Sequence, residues 1–134
     1  MIKDEYGDLH RFQETIDLIE SATIEAHSTS RREYEESHLD ATMAMHRAVG
    51  FIKMAEELEP YNPQVLWKKA FITEMSGKST MYMVELSEDA IAKCELCEDY
   101  GYKKPNQNLK IMKFATKEYK RDVEKGIVYQ GNVK

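Results

Sequence analysis

The sequence predicts an all-α protein, a compact bundle of about five helices joined by short loops, with the second helix central. Three observations carry that expectation. Apolar residues recur at spacings of three and four along most of the 134-residue chain, the period that gathers them on one face of a helix. No segment sustains the period-two alternation of a half-buried strand. Glycine and proline fall near the ends of the periodic runs, Gly50 excepted, where they start and stop helices rather than interrupt them.

The first helix is expected from about Asp4 to His27. Leu9, Phe12, Ile16, Ile19, Thr23 and Ala26 form one stripe, and Asp4, Glu5 and Asp8 sit where a helix dipole favours acids. Ser28-Thr29-Ser30 offers hydroxyls that compete with helical hydrogen bonding, and Ser30 with Glu33 has the spacing of a capping box. A break is expected there. The second helix should run from about Arg31 to Leu58, apolar nearly all round between Ala41 and Ala55, as befits a helix surrounded by others.

Pro60 ends it, and Asn62-Pro63 supplies an N-cap and a first-turn proline. The third helix should span Pro63 to Ser76 and stop at Gly77. Ser79 then caps a fourth helix to Tyr100, with Met83, Leu86, Ala90 and Cys94 or Cys97 facing in, and Gly101 ends it. A fifth should follow Pro105, from Asn106 to Lys125, burying Leu109, Met112, Ala115, Tyr119 and Val123. Residues 1–126 read as a single helical domain and 127–134 as a loose tail.

Apolar residues make up 42% and charged residues 32%, the balance of a globular chain rather than a disordered one. No apolar run approaches the ~18 residues of a membrane span. The N-terminus lacks a basic flank before an apolar stretch, so no secretory signal is expected. Two cysteines make no disulfide scaffold, and a cytoplasmic setting is the expectation.

Ala48, Ile52, Ala55, Leu58 and Pro60, followed in register by Leu66, Ala70 and Gly77, resemble the end of one tetratricopeptide repeat and the start of the next. The resemblance covers residues 48–77. Lys69 stands where that family has leucine and Thr73 where it has an aromatic, and a stable array needs about three stacked units. What the resemblance implies is a helical hairpin in a protein that binds other proteins.

Few groupings suggest chemistry. Cys94-x-x-Cys97 lies some fifteen residues into a helix, away from the N-terminal dipole that activates redox thiols, so two thiols packed inside are expected. Glu35-x-x-His38 has the spacing of a di-iron half-site, without the second motif such bundles use. Arg32 and His38 fit the spacing of the HEPN ribonucleases, a resemblance that implies histidine as base at a dimer interface.

The net charge of −5 hides a polarity: residues 1–60 carry 14 acids and 6 bases, residues 61–134 carry 10 acids and 13 bases. Lys110, Lys113, Lys117 and Lys120, with Arg121, line one face of the fifth helix. A row like that suits an acidic protein partner or tracks phosphates. The function expected is non-enzymatic binding of a macromolecule, as an adaptor or regulatory domain without cofactor or metal, its partner a protein. The alternative is a nucleic-acid binder or HEPN-like ribonuclease using Arg32, His38 and the lysine row. The regular stripe on the first helix also suits a homodimer.

Overall fold

The computed structural model describes residues 1–35 and 38–126, and the side chains of all of these except 30–35 and 38. The chain opens with a small antiparallel hairpin, β1 (Ile2–Lys3) and β2 (Leu9–His10), with Ile2 opposite His10 and Lys3 opposite Leu9. This corrects the expectation of a helix from Asp4. Asp4 is the reason: its Oδ1 accepts the Tyr6 and Asp8 N–H groups at 2.9 and 3.0 Å, a turn that replaces helical hydrogen bonds with side-chain ones. Gly7, at φ +84°, closes the turn in a conformation glycine adopts without steric cost.

α1 therefore begins at Gln13 and runs to Glu35, straight through Ser28-Thr29-Ser30. No break occurs there, because the Ser28 and Thr29 hydroxyls each donate back to the Glu25 carbonyl at 3.0 Å. Turned inward this way, they stop competing for the backbone. α2 spans His38–Leu58. The start of α1 meets the end of α2, where Arg11 and Phe12 N–H groups reach Glu59, and Glu25 pairs with Arg47 farther along. The two helices run antiparallel.

Their shared core is built on small residues. Ala22 and Ala26 of α1 meet Ala48, Ile52 and Ala55 of α2, with Leu18 and Ile19 at the border. The inner stripe of α1 is thus rotated from the expected one. Of that stripe only Ile19 and Ala26 join this core; Leu9 lies in β2 and Phe12 is exposed. Of Met45, Val49 and Ile52 on α2, the first and last are buried and Val49 is half-buried.

α3 (Pro63–Met75) is capped as the sequence predicts: Asn62 Oδ1 accepts the Gln64 N–H at 3.0 Å. It separates two cores. Val65 and Ile72 join the α1–α2 cluster, whereas Leu66 joins Ala90, Cys94, Leu109 and Met112 of the second. α2 is surrounded on two sides, by α1 and α3, while Leu39, Met43, Gly50 and Met54 are exposed along its third.

α4 spans Thr80–Glu95 with Ser79 as N-cap. It does not continue to Tyr100; the chain tightens into a 3-10 turn, Cys97–Tyr100, ended by Gly101 at φ +89°. α5 spans Asn106–Glu124 and carries no side-chain cap. Glu95 near the end of α4 pairs with Lys104 just before α5 and with Lys113, and Glu88 pairs with Lys120. These two helices also run antiparallel. Among the described residues, no helix is long and apolar enough to cross a membrane.

Candidate functional site

Two surfaces merit a functional reading: the outer face of α5 and a cleft at its start. Leu109, Met112 and Thr116 turn α5 inward, so the opposite face carries Lys110, Ile111, Phe114, Lys117 and Arg121 at helical spacing. Phe114 is 66% exposed and Ile111 46%. Their outward aim was missed from sequence, although once Leu109 and Met112 are placed inside, position 114 must face solvent.

The lysine row divides. Lys113 and Lys120 each lie 2.8 Å from a glutamate of α4, Glu95 and Glu88. Lys104 with Lys113 holds the Glu95 carboxyl down at about 2, through hydrogen bonds before coulombic attraction. Arg121 pairs with Glu118 one turn away at 3.2 Å. Lys110 and Lys117 have no acidic partner among the described residues. The face therefore keeps two uncompensated cations around one exposed aromatic ring.

The cleft, of about 480 Å3, lies between the hairpin, the start of α3 and the start of α5. Lys3, Asp8, Gln64, Lys103 and Asn108 are among its walls, and Asn62 and Tyr102 reach it from the interior. Lys3 and Lys103 have no ion pair among the described residues. Burial and the nearby Asp4 charge push the Asp8 carboxyl up from its ordinary value, against a hydrogen bond from Gln64.

Beneath the cleft lies a buried polar network that sequence reading did not foresee. Glu59, 1% exposed, accepts the Tyr102 hydroxyl at 2.6 Å and the Arg11 N–H at 2.7 Å on Oε1. Phe12 N–H reaches Oε2 at 3.4 Å. Asn62 Nδ2 donates to His10 Nδ1 at 2.8 Å and to Glu59 at 3.4 Å. Because Asn62 Oδ1 is held by the α3 cap, its amide cannot flip without losing that cap. His10 Nδ1 is therefore the acceptor, and its Nε2–H donates to Asp4 at 2.9 Å.

Burial alone would raise the Glu59 pKa. Donors from Thr15, Tyr102, Arg11 and Phe12 outweigh it, and the carboxyl is held below its ordinary value. The fully buried Thr15 hydroxyl lies near the carboxylate, outside good hydrogen-bond geometry. Arg11 adds a bond to the Tyr100 carbonyl at 2.6 Å, and Tyr100 stacks on Tyr61 with centroids 3.8 Å apart. The network ties hairpin, α2, α3 and the α4–α5 connection into one end of the bundle.

The thiols are placed as expected. Cys94 and Cys97 are both fully buried and unbridged. Burial, with the neighbouring Cys97 and Glu95, pushes the Cys94 thiol up to about 12. Neither should react with a disulfide reagent at pH 7.5 in the native state, and both should titrate once the chain is unfolded; native reaction within minutes would show that this core opens. No three described His, Cys, Asp or Glu side chains are placed to hold a metal. The side chains of Ser30, Arg32, Glu33, Glu35 and His38 lie outside the described ones, and with them the capping box, the di-iron spacing and the HEPN-like pair; the 127–134 tail lies outside the described residues too.

No protein-family model matches the chain, and no curated protein or solved structure matches it either.

Proposed function

We propose that this chain is a binding module that docks an acidic segment of another protein on the outer face of α5, in a cytoplasmic setting and without catalysis. The observation that carries the reading is Phe114, exposed between Lys110 and Lys117, neither of which has an ion pair among the described residues. An exposed aromatic ringed by cations is what an interface anchor looks like. The basic charge would steer an acidic partner, and Phe114 with Ile111 would supply the apolar contact that holds it.

Charge selects the occupant. A second copy is disfavoured at this face, since two such faces would oppose like charges, and of the α1 stripe that suggested a dimer, Ile19 and Ala26 are packed in the α1–α2 core. A long polyanion would meet the −8 of residues 1–60 as well as the cations, and a single aromatic is a poor stacking platform. The buried network supports a non-enzymatic role, because its hydrogen-bonding groups are mostly spent on one another.

The test is fluorescence anisotropy of the full chain against two labelled probes: a glutamate-rich amphipathic peptide and single-stranded RNA. The peptide should bind more tightly at physiological salt. Lys110→Glu with Lys117→Glu should slow its association about tenfold, and Phe114→Ala should speed its release. Tighter binding of RNA, with a steep salt dependence removed by the same lysine changes, would make the nucleic-acid reading the leading one.

A further inference from the structure

We propose that the cleft between the N-terminal hairpin and the start of α5 binds a phosphorylated polyol of the sugar-phosphate class. Its volume of about 480 Å3 lies in the range of small-ligand sites. Its walls come from three separate parts of the chain: Lys3 and Asp8 from the hairpin, Gln64 from α3, and Lys103 and Asn108 from around the start of α5. Chain segments that far apart in sequence converge here with complementary donors and acceptors.

The pairing of charges narrows the ligand. Lys104 is already spent on Glu95 at 2.8 Å, whereas Lys3 and Lys103, both on the cleft walls, lack any described counter-ion and offer ammonium groups to a phosphate. Asp8 accepts hydrogen bonds but repels an anion. An uncharged sugar would leave both ammonium groups unanswered, and bare phosphate would meet Asp8 without using it. A ligand with a phosphate at one end and hydroxyls at the other satisfies both. The hydroxyls donate to Asp8 and exchange hydrogen bonds with the Gln64 and Asn108 amides.

The floor is already fixed. Asn62 and Tyr102, which reach the cleft, are held by His10, Glu59 and the α3 cap. Little ordering is left for binding to impose. This site is separate from the outer face of α5, so either proposal can fail without the other.

The experiment is an NMR titration of the isotope-labelled full chain with three probes: ribose 5-phosphate, inorganic phosphate and ribose. Ribose 5-phosphate should shift the amides of Gly7, Asp8, Gln64, Lys103, Lys104 and residues 106–108, with a Kd of about 1 mM or tighter. Inorganic phosphate should bind about tenfold more weakly, and ribose not at all. Lys3→Ala with Lys103→Ala, both exposed positions, should abolish the shifts without altering the unfolding temperature. Asp8→Asn should shrink the preference for ribose 5-phosphate, and Lys110→Glu with Lys117→Glu should change nothing. Equal affinity for inorganic phosphate would overturn the proposal. So would a silent cleft, or shifts along α5 that respond to Lys110 and Lys117 instead.

Discussion

Replacing Glu59 with alanine is expected to cost about 3–5 kcal/mol of folding stability, measured by urea unfolding at pH 7. The side chain is 1% exposed, and its loss strands the buried Tyr102 hydroxyl and takes the acceptor from the part-buried Arg11 N–H. Unpaired buried donors cost more than the bonds they lose are worth. The pH dependence follows from the direction of the shift. A carboxyl whose folded pKa lies below its ordinary value of 4.5 contributes stability that is present above 4.5 and lost as pH falls through the folded value. Glu59→Gln, which cannot titrate, should flatten that portion of the acid limb. A loss under about 1 kcal/mol for the alanine variant would mean that the network is hydrated rather than buried.

Replacing Ile52 with alanine should cost about 3–5 kcal/mol. Ile52 is fully buried, and Ala22, Ala26, Ala48 and Ala55 stand in the same cluster. Alanines have no side-chain reach with which to fill the space, so most of the cavity would persist. Ile52→Val should cost only about 1 kcal/mol, and Ile24→Ala, at a position 60% exposed, should stay within about 0.5 kcal/mol. Thermal unfolding of the three variants reads this directly. Equal losses at Ile52 and Ile24 would show that the α1–α2 interface is misplaced.

The elements that sequence made legible are those whose signals are local. Asn62-Pro63, Ser79 and Gly77 mark helix ends through their own backbone or side-chain chemistry, and each stands where its type predicts, whereas Gly101 ends the 3-10 turn after α4 rather than α4 itself. The hairpin was not legible, because strands of two residues are too short to alternate. Asp4 also looks the same in sequence whether it sits in a helix's first turn or folds a hairpin turn. The serines before Arg31 misled for a related reason: a hydroxyl that competes with the backbone and one that bonds back to it are identical in sequence.

The buried network was invisible because Glu59 stands beside Glu56 and Glu57 in an acidic run, and nothing in composition distinguishes the one that is inside. One signal was available. An acid just past the C-terminus of a helix opposes the dipole there, so Glu59 directly before Pro60 needed some other compensation. On α5 the periodicity identified the inner face, while the lysine row concealed a division that only the neighbouring helix decides. Glu88 and Glu95 of α4 take Lys120 and Lys113, which leaves Lys110 and Lys117 beside Phe114 without an ion pair among the described residues.

Site-specific photocrosslinking from position 114 of the full chain in living cells bears most directly on that face, with a crosslinker at the exposed position 24 as control. The expected result is one dominant protein adduct, specific to position 114, whose partner carries an acidic segment at the crosslink. The adduct should vanish when Lys110 and Lys117 become glutamate, and it should form again between the two purified proteins with the same charge dependence. The same adducts from position 24, an adduct with nucleic acid, or one indifferent to Lys110 and Lys117 would contradict an acidic protein partner on α5.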